Sequence, residues 1–522
     1  MLTPTAGWWS WPPSGPGWPR TRLAEAEREP SSEREVKLSA APGFNLPDLN
    51  LATEGVTAAS EQEARLETAY WDTADLRLAR WGVSLRYRAR AGWTLKLAGS
   101  ASDGMLVRPE LHFSGPARTV PRRALDLLQG YVRSGQLQPV ARLSTWRRRV
   151  LLERAGQRLA EVVDDEVSVL EGRRVAARFR EVEVELFPGG DEILPSLLAS
   201  LRTAGAGEPD PTPKHVRALG PAAQRPPEAA PPQLGREPTA GEVVRRALAE
   251  AVTLVLSHDL GIRLAGRPED VHQARVGTRR LRSHLRTFRP LLDRDWADAL
   301  RDELAWAADE LGAVRDQEVL LDRLQGHLAL LPAEDRKAGK YICARLAAAA
   351  DESRTALRAT LAGKRYADLL ERLVAAAESP LLAGQHESPA LKVLPALALK
   401  PWVELRAGMR NLQAESPNED LHACRILAKR ARYAAEAVAP AMGPAAERFA
   451  RAVSALQTVL GEHQDCVTAS RWLRRQAGAG RRAFAAGELA ARELAEAEKA
   501  RAAWPKVWRR LDRPKLRAWL KA

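Results

Sequence analysis

Two acidic runs and a series of basic pairs, spaced two residues apart, are the parts of this sequence able to do chemistry. Glu33-x-Glu35-x-Lys37 opens one segment and Glu181-x-Glu183-x-Glu185 closes it. Between them lie Arg86 with Arg88 in LRYR, Lys96 in GWTLKL, Arg108 with Glu110 in VRPEL, and Arg147 with Arg149 in STWRRRVLL. Residues i, i+2 and i+4 of a strand share a face, so each run lines one side. Any single strand of this kind is most simply a solvated sheet face. Carboxylate strands bracketing basic strands fit better a barrel interior that holds a hard cation through oxygens and phosphates through Arg and Lys. Such a lining is suited to holding a cation and phosphate groups side by side. No GxxxxGK[ST] loop, HExxH helix or GxSxG elbow offers another route.

A second constellation has helical spacing. His272, Arg275, Arg279, Arg282 and Arg286 fall within an arc of about 80° on one helix face. Six arginines and no acid lie between His272 and Arg289, so the i,i+4 ion pairs of an ordinary exposed helix are missing. The pattern recurs at an offset of 150 as His422, Arg425, Lys429 and Arg432. Leu311-Gly312-x-x-x-Asp316 likewise recurs as Leu460-Gly461-x-x-x-Asp465, at an offset of 149. One charged face is ordinarily solvated or paired with neighbouring acids; its repetition points to a built anion site. His272 and His422 read as donors to phosphate, since no second ligand stands at metal spacing. Asp316 and Asp465 read as residues that orient the arginines.

The elements that must carry these groups divide the chain. Its 522 residues suit roughly two to four domains. With 45% hydrophobic and 28% charged residues it is neither disordered overall nor built to span a bilayer. Eighty Lys and Arg against 66 Asp and Glu give +14, which favours polyanionic partners. Three cysteines and no CxxC exclude a disulfide framework or zinc cluster and suit a reducing cytoplasm. Residues 1–31, with neither a basic n-region nor an apolar h-region, read as a disordered leader. Residues 32–219 alternate with period two and read as mainly β. Residues 220–238 carry six prolines and read as a linker. Residues 239–522 are rich in helix formers and read as all-α, in two repeats of about 239–378 and 401–522. Between the repeats, about Ser379 to Pro401 is expected to be interrupted by Pro380, Pro389, Pro395 and Pro401.

Taken in order, the motifs of 32–219 resemble the CYTH domain, also called the triphosphate tunnel metalloenzyme family, which includes class IV adenylyl cyclases, thiamine triphosphatases and inorganic triphosphatases. The resemblance implies an antiparallel eight-stranded β tunnel with Mg2+ or Mn2+ on its acidic strands. It makes Glu33, Glu35, Asp164, Glu181, Glu183 and Glu185 metal-ligand candidates, with Glu35 and Asp164 also candidates for activating water. It assigns triphosphate to Lys37, Arg86, Arg88, Lys96, Arg108, Arg142, Arg147 and, from a terminal helix, Lys214 in PKHVRAL. Ser144 and Trp146 stand where members often carry basic residues, and a slip of one residue would turn Arg142 and Arg147 outward.

The helical half resembles the CHAD family, two helical-bundle repeats that commonly follow CYTH. That resemblance implies binding of inorganic polyphosphate by His272, Arg275, Arg279, Arg282, Arg286, His422, Arg425, Lys429 and Arg432. The expectation is a multidomain α+β protein, cytoplasmic and associated with polyphosphate granules, whose tunnel hydrolyses inorganic triphosphate or a related triphosphate. No helix-turn-helix, RRM or zinc-finger signature points to specific nucleic acid binding, and no membrane partner is expected. A non-catalytic polyphosphate-binding or granule-associated protein is the alternative, ahead of a class IV cyclase.

Overall fold

The computed structural model describes residues 31–521 apart from 53–54, 103, 265–266 and 477; the expected leader, Ser31 excepted, lies outside the described residues. The chain divides into two compact units at Pro227/Glu228.

The first unit is a sheet of eleven strands: β1 (Ser31–Ala40), β2 (Thr57–Ser60), β3 (Ala64–Asp72), β4 (Ser84–Arg88), β5 (Gly92–Lys96), β6 (Ser100–Ser102), β7 (Met105–Phe113), β8 (Gln138–Arg154), β9 (Gln157–Glu171), β10 (Arg174–Leu186) and β11 (Ala206–Pro209). Eight of them close antiparallel in the order β1-β10-β9-β8-β3-β4-β5-β7, with β7 returning to β1. Short helices α1 (Arg77–Arg80), α2 (Arg122–Val132), α3 (Leu194–Thr203) and α4 (Lys214–Leu219) accompany the barrel.

Small barrels usually fill their interior with apolar side chains. Here the alternation runs the other way. Val36, Leu38, Val162, Val182 and Val184 face outward and form a core with Ile193, Leu197 and Leu201, which lie in and just before α3. Trp93, also outward, meets Trp71 and Tyr87 edge-on at 5.3 and 5.4 Å. Because the outer face is anchored in this way, the register is fixed and the charged positions must point inward.

The second unit is helical: α5 (Ala240–Arg263), α6 (Pro268–Thr287), α7 (Arg294–Leu328), α8 (Ala333–Leu361), α9 (Lys364–Glu378), α10 (Ala390–Asn411), α11 (Asn418–Met442), α12 (Pro444–Gln476), α13 (Arg481–Leu511) and α14 (Pro514–Arg517). Helix α5 starts with a capping box: Thr239 Oγ1 accepts from the Glu242 amide at 3.2 Å and the Glu242 carboxylate accepts from the Thr239 amide at 2.7 Å. Successive helices pack on one another through α5–α8 and again through α10–α13, and α6 also packs on α11.

One expectation based on proline needs correcting, and the stretch 220–238 read as a linker holds local structure. Gly220–Gln224 forms a 3-10 turn in the first unit, whereas Ala229 is buried and its carbonyl accepts from Thr253 Oγ1 on α5 at 2.7 Å. The second interruption ends at Pro389, because Pro395 and Pro401 lie inside α10. A proline forfeits one helical hydrogen bond. Here burial of Leu394, Ala398, Trp402 and Leu405 outweighs that loss, with Trp402 packed on Phe449 and Trp508 at 5.2 and 5.7 Å.

Candidate functional site

Pairing across the barrel brings most of the expected tunnel residues together. Glu35 lies opposite Glu185, Lys37 opposite Glu183 and Ser39 opposite Glu181, while Glu33 lies opposite Arg108 on β7. Lys96 lies opposite Glu110, and Arg86 opposite Tyr70. Glu33, Glu35, Lys37, Arg86, Lys96, Arg108, Arg147, Glu183, Glu185 and Lys214 line one small cavity.

These charges are buried and hold one another. Lys37 Nζ binds Glu183 and stands 3.2 Å from Glu35. Lys96 bridges Glu33 and Glu110. Lys214 Nζ, carried in by α4, sits 2.9 Å from Asp165, 2.7 Å from Glu181 and 2.8 Å from Glu183. Burial opposes the Lys37 charge, but Glu183, Glu35 and Glu181 outweigh it and raise the pKa. Burial of Glu183 is likewise overcome by Lys214, Lys37 and Arg147, which hold its carboxyl well below the usual range. Arg88 shares the Arg86 face and gives its Nε–H to Thr68 at 3.2 Å. Burial, then Arg86 and Arg147, lower it to about 10.

Two expected residues face away. Arg142 is exposed on the outer side of β8. Asp164 is buried outside the tunnel, where Arg180 grips it through two bonds of 2.8 and 2.6 Å. The physical reason is parity: Glu161, Val163 and Asp165 share the inner face of β9, so Asp164 cannot. Asp165 takes the inward place, opposite Glu181, and accepts two bonds from Arg147 at 2.8 and 2.6 Å. Ser144 and Trp146 also sit on the outer side, bonded to Glu67 at 2.7 Å and Glu63 at 3.0 Å, so their departure from a basic pattern does not touch the lining.

Glu161 and Asp165, on the inner face of β9, and His215, in the cavity wall, were not among the expected site residues, whereas Glu110 stood in the Arg108-x-Glu110 run. The alternation Glu161-x-x-x-Asp165, read against the Glu181 run, carries the signal for two of them. His215 carries no such signal, because a turn after the last strand brings it in, stacked on Tyr70 at 5.0 Å. Burial, then Arg108, Lys37, Arg86 and Lys96, depress its pKa to about 3.

Among the described residues no three carboxylate, histidine or cysteine groups already converge as a metal cage. The donor set nevertheless suits a hard divalent cation, being all oxygen. One buried Glu35 oxygen has no hydrogen-bond partner. Glu185 is pushed up to about 7 by burial, then by Glu33, Glu161 and Glu35, the crowding of like charge that a cation relieves.

In the helical unit the two basic stripes meet. Arg275 and Arg279 of α6 lie beside Arg425 and Lys429 of α11, and burial followed by those three arginines lowers Lys429 to about 8. The recurring Leu-Gly-x-x-x-Asp segments explain themselves. Gly312 and Gly461 pack under the Arg275 and Arg425 guanidiniums, where a Cβ would touch them at 3.5 Å. Asp316 and Asp465 hold the same two arginines at 2.9 and 3.3 Å. His272 is half-buried and His422 exposed. Arg282 and Arg286 cluster with Arg430 and Arg301 further along, while Arg432 is tied to Glu436 at 2.6 Å. No helix of the described residues is long and apolar enough to cross a membrane.

Residues 31–210 match the CYTH domain and residues 246–474 the CHAD domain. Two Mycobacterium tuberculosis proteins, uncharacterized protein Rv2226 of strain H37Rv and uncharacterized protein MT2285 of strain CDC 1551, are each 32% identical over 495 residues, spanning 88% of this chain and 93% of the relative. Among solved structures, PptA from Streptomyces chartreusis aligns with a TM-score of 0.45 at 24% identity, covering 52% of this chain and 99% of its own. The CHAD domain from the plant Ricinus communis aligns with a TM-score of 0.44 at 27% identity, covering 56% and 96%. The CYTH superfamily includes triphosphatases and adenylyl cyclases and is divalent-metal dependent, and CYTH and CHAD domains are associated with triphosphate and polyphosphate binding. With a closed antiparallel tunnel, a helical unit of recurring basic stripes, and a matching relative along nearly its whole length, the chain belongs to the CYTH–CHAD family.

Proposed function

We propose that the tunnel hydrolyses inorganic triphosphate, or a related triphosphate, and that the helical unit binds inorganic polyphosphate. The observation that carries the first part is the inward face of a closed barrel on which carboxylates and cations alternate across strands. Glu33, Glu35, Glu181, Glu183 and Glu185 would hold Mg2+ or Mn2+, which when bound supplies charge neutralisation at the phosphate oxygens. The free space is only about 50 Å³. A triphosphate therefore enters by exchange: Lys37, Lys96 and Lys214 trade carboxylate partners for phosphate oxygens, joined by Arg86, Arg88, Arg108 and Arg147. Glu35, one oxygen of which accepts no hydrogen bond, accepts the proton of the attacking water as the new P–O bond forms. The anhydride bond breaks and diphosphate leaves, its charge balanced by the basic lining. Asp165 is saturated by Arg147 and Lys214 and acts by positioning them.

Polyphosphate is a flexible line of anions with no bases to read, and the paired α6 and α11 stripes match it. Such binding would bring the protein to polyphosphate granules in the cytoplasm. A non-catalytic polyphosphate binder is the second reading, favoured by the lysines that already bridge the carboxylates. Phosphate release from tripolyphosphate with and without Mg2+ or Mn2+ separates the two. Metal-dependent release that Glu183→Ala abolishes supports hydrolysis; retention of polyphosphate with no turnover leaves binding alone.

A further inference from the structure

At the offset of 150 that relates the helical repeats, Arg280 corresponds to Arg430 and Arg286 to Glu436. Glu436 stands 3.8 Å from Arg280 and 2.6 Å from Arg432, so one acid offsets part of the positive charge there. Where the repeat would place a second acid, α6 carries Arg286, which faces Arg430, Arg301 and Arg282. Beside this group, with Glu404 its one acidic neighbour of note, opens a cavity of about 380 Å³, lined from α6, α10, α11 and the start of α7.

Its walls are of two kinds. Arg286, Arg294, Lys400 and Arg430 supply cations, and the buried Arg430 Nε has no hydrogen-bond partner. Leu397 and Pro401 add apolar surface, and Glu404 is the single acid of the lining, 4.0 Å from Arg430. Pro401 has no N–H to offer the Leu397 carbonyl four residues back. An inorganic phosphate chain gains nothing from an apolar wall and is repelled by Glu404. A phosphate ester with a flat apolar ring and hydroxyl or amino donors uses every part. Phosphates would meet the guanidiniums, the ring Leu397 and Pro401, and a donor Glu404.

We infer that this cavity is a nucleotide site, distinct from the polyphosphate stripes although it borders them at Arg286. The inference does not depend on the tunnel chemistry or on polyphosphate binding.

Calorimetric titration of the full chain with ADP, pyrophosphate and long-chain polyphosphate tests it. ADP should bind at least about tenfold more tightly than pyrophosphate, because only ADP engages the apolar wall and Glu404. Lys400→Glu, at an exposed position, and Leu397→Trp, which fills the cavity, should each weaken ADP at least about tenfold and leave polyphosphate affinity within about twofold. Absence of ADP binding, equal affinity for pyrophosphate, or ADP binding that neither variant changes would overturn the inference. Loss of polyphosphate binding together with ADP in both variants would overturn the separation of the two sites. A wild-type chain that binds ADP but not polyphosphate would leave this site standing and sink the polyphosphate reading instead.

Discussion

The Lys214 ammonium stands 2.7 Å from the Glu181 carboxylate, although one belongs to a helix beyond the barrel and the other to its last long strand. The same ammonium serves Asp165 and Glu183, so one side chain is shared by three buried acids. Removing one partner of a buried ion pair typically costs about 3–5 kcal/mol. Lys214→Ala is expected to lower barrel stability by about 3 kcal/mol, with millimolar Mg2+ recovering part of the loss. Denaturant unfolding with and without metal measures both, and an unchanged midpoint would refute the structural role of Lys214.

Asp164 and Asp165 are neighbours with opposite orientations. Asp165→Asn is expected to lower tripolyphosphate turnover at least about tenfold, because Arg147 and Lys214 lose their anchor. Asp164→Asn is expected to spare turnover and to destabilise the barrel through Arg180. The reverse ranking in a phosphate-release assay would place Asp164 in the reaction.

Magnesium is expected to raise the thermal midpoint of the wild-type tunnel, by an amount equivalent to about 2.7 kcal/mol at about a hundredfold excess over Kd. Glu185→Gln removes one of four crowded carboxylates. The metal-free variant should therefore melt higher than the metal-free wild type, and its gain from magnesium should be smaller. Equal magnesium shifts in the two proteins would remove Glu185 from the ligand set.

Lys429 provides a pH dependence with a defined sign. It is packed against Arg425 on its own helix, Arg275 and Arg279 on α6, and Asp465 on α12, and its pKa falls from 10.5 to about 8. Between these values the unfolded chain holds the extra proton, so this group makes stability rise with pH. Polyphosphate favours the charged form. Binding should therefore take up a proton in this window, and affinity should fall as pH rises from 8. Calorimetry at pH 9 in two buffers of different ionisation heat reads the uptake, which Lys429→Met should remove.

Period-two spacing alone determined that Glu33, Glu35 and Lys37 share a face, as do Glu181, Glu183 and Glu185, and helical spacing determined the stripes of α6 and α11. Such patterns are local, so they are legible without a fold. Which face turns inward is not local. It depends on the outer valines and Trp93 finding partners in α3 and neighbouring strands, and through this anchoring Arg147 points into the tunnel while Arg142 and Asp164 do not. Lys214 and His215 reach the lining by a chain reversal that no spacing records. Pro395 and Pro401 read as breakers, and the packing of Trp402 overrode them. The sequence carried the charge inventory and its periodicity; the tertiary structure decided which charges meet, because pairing across strands and helices is set by the burial of the residues on their other side.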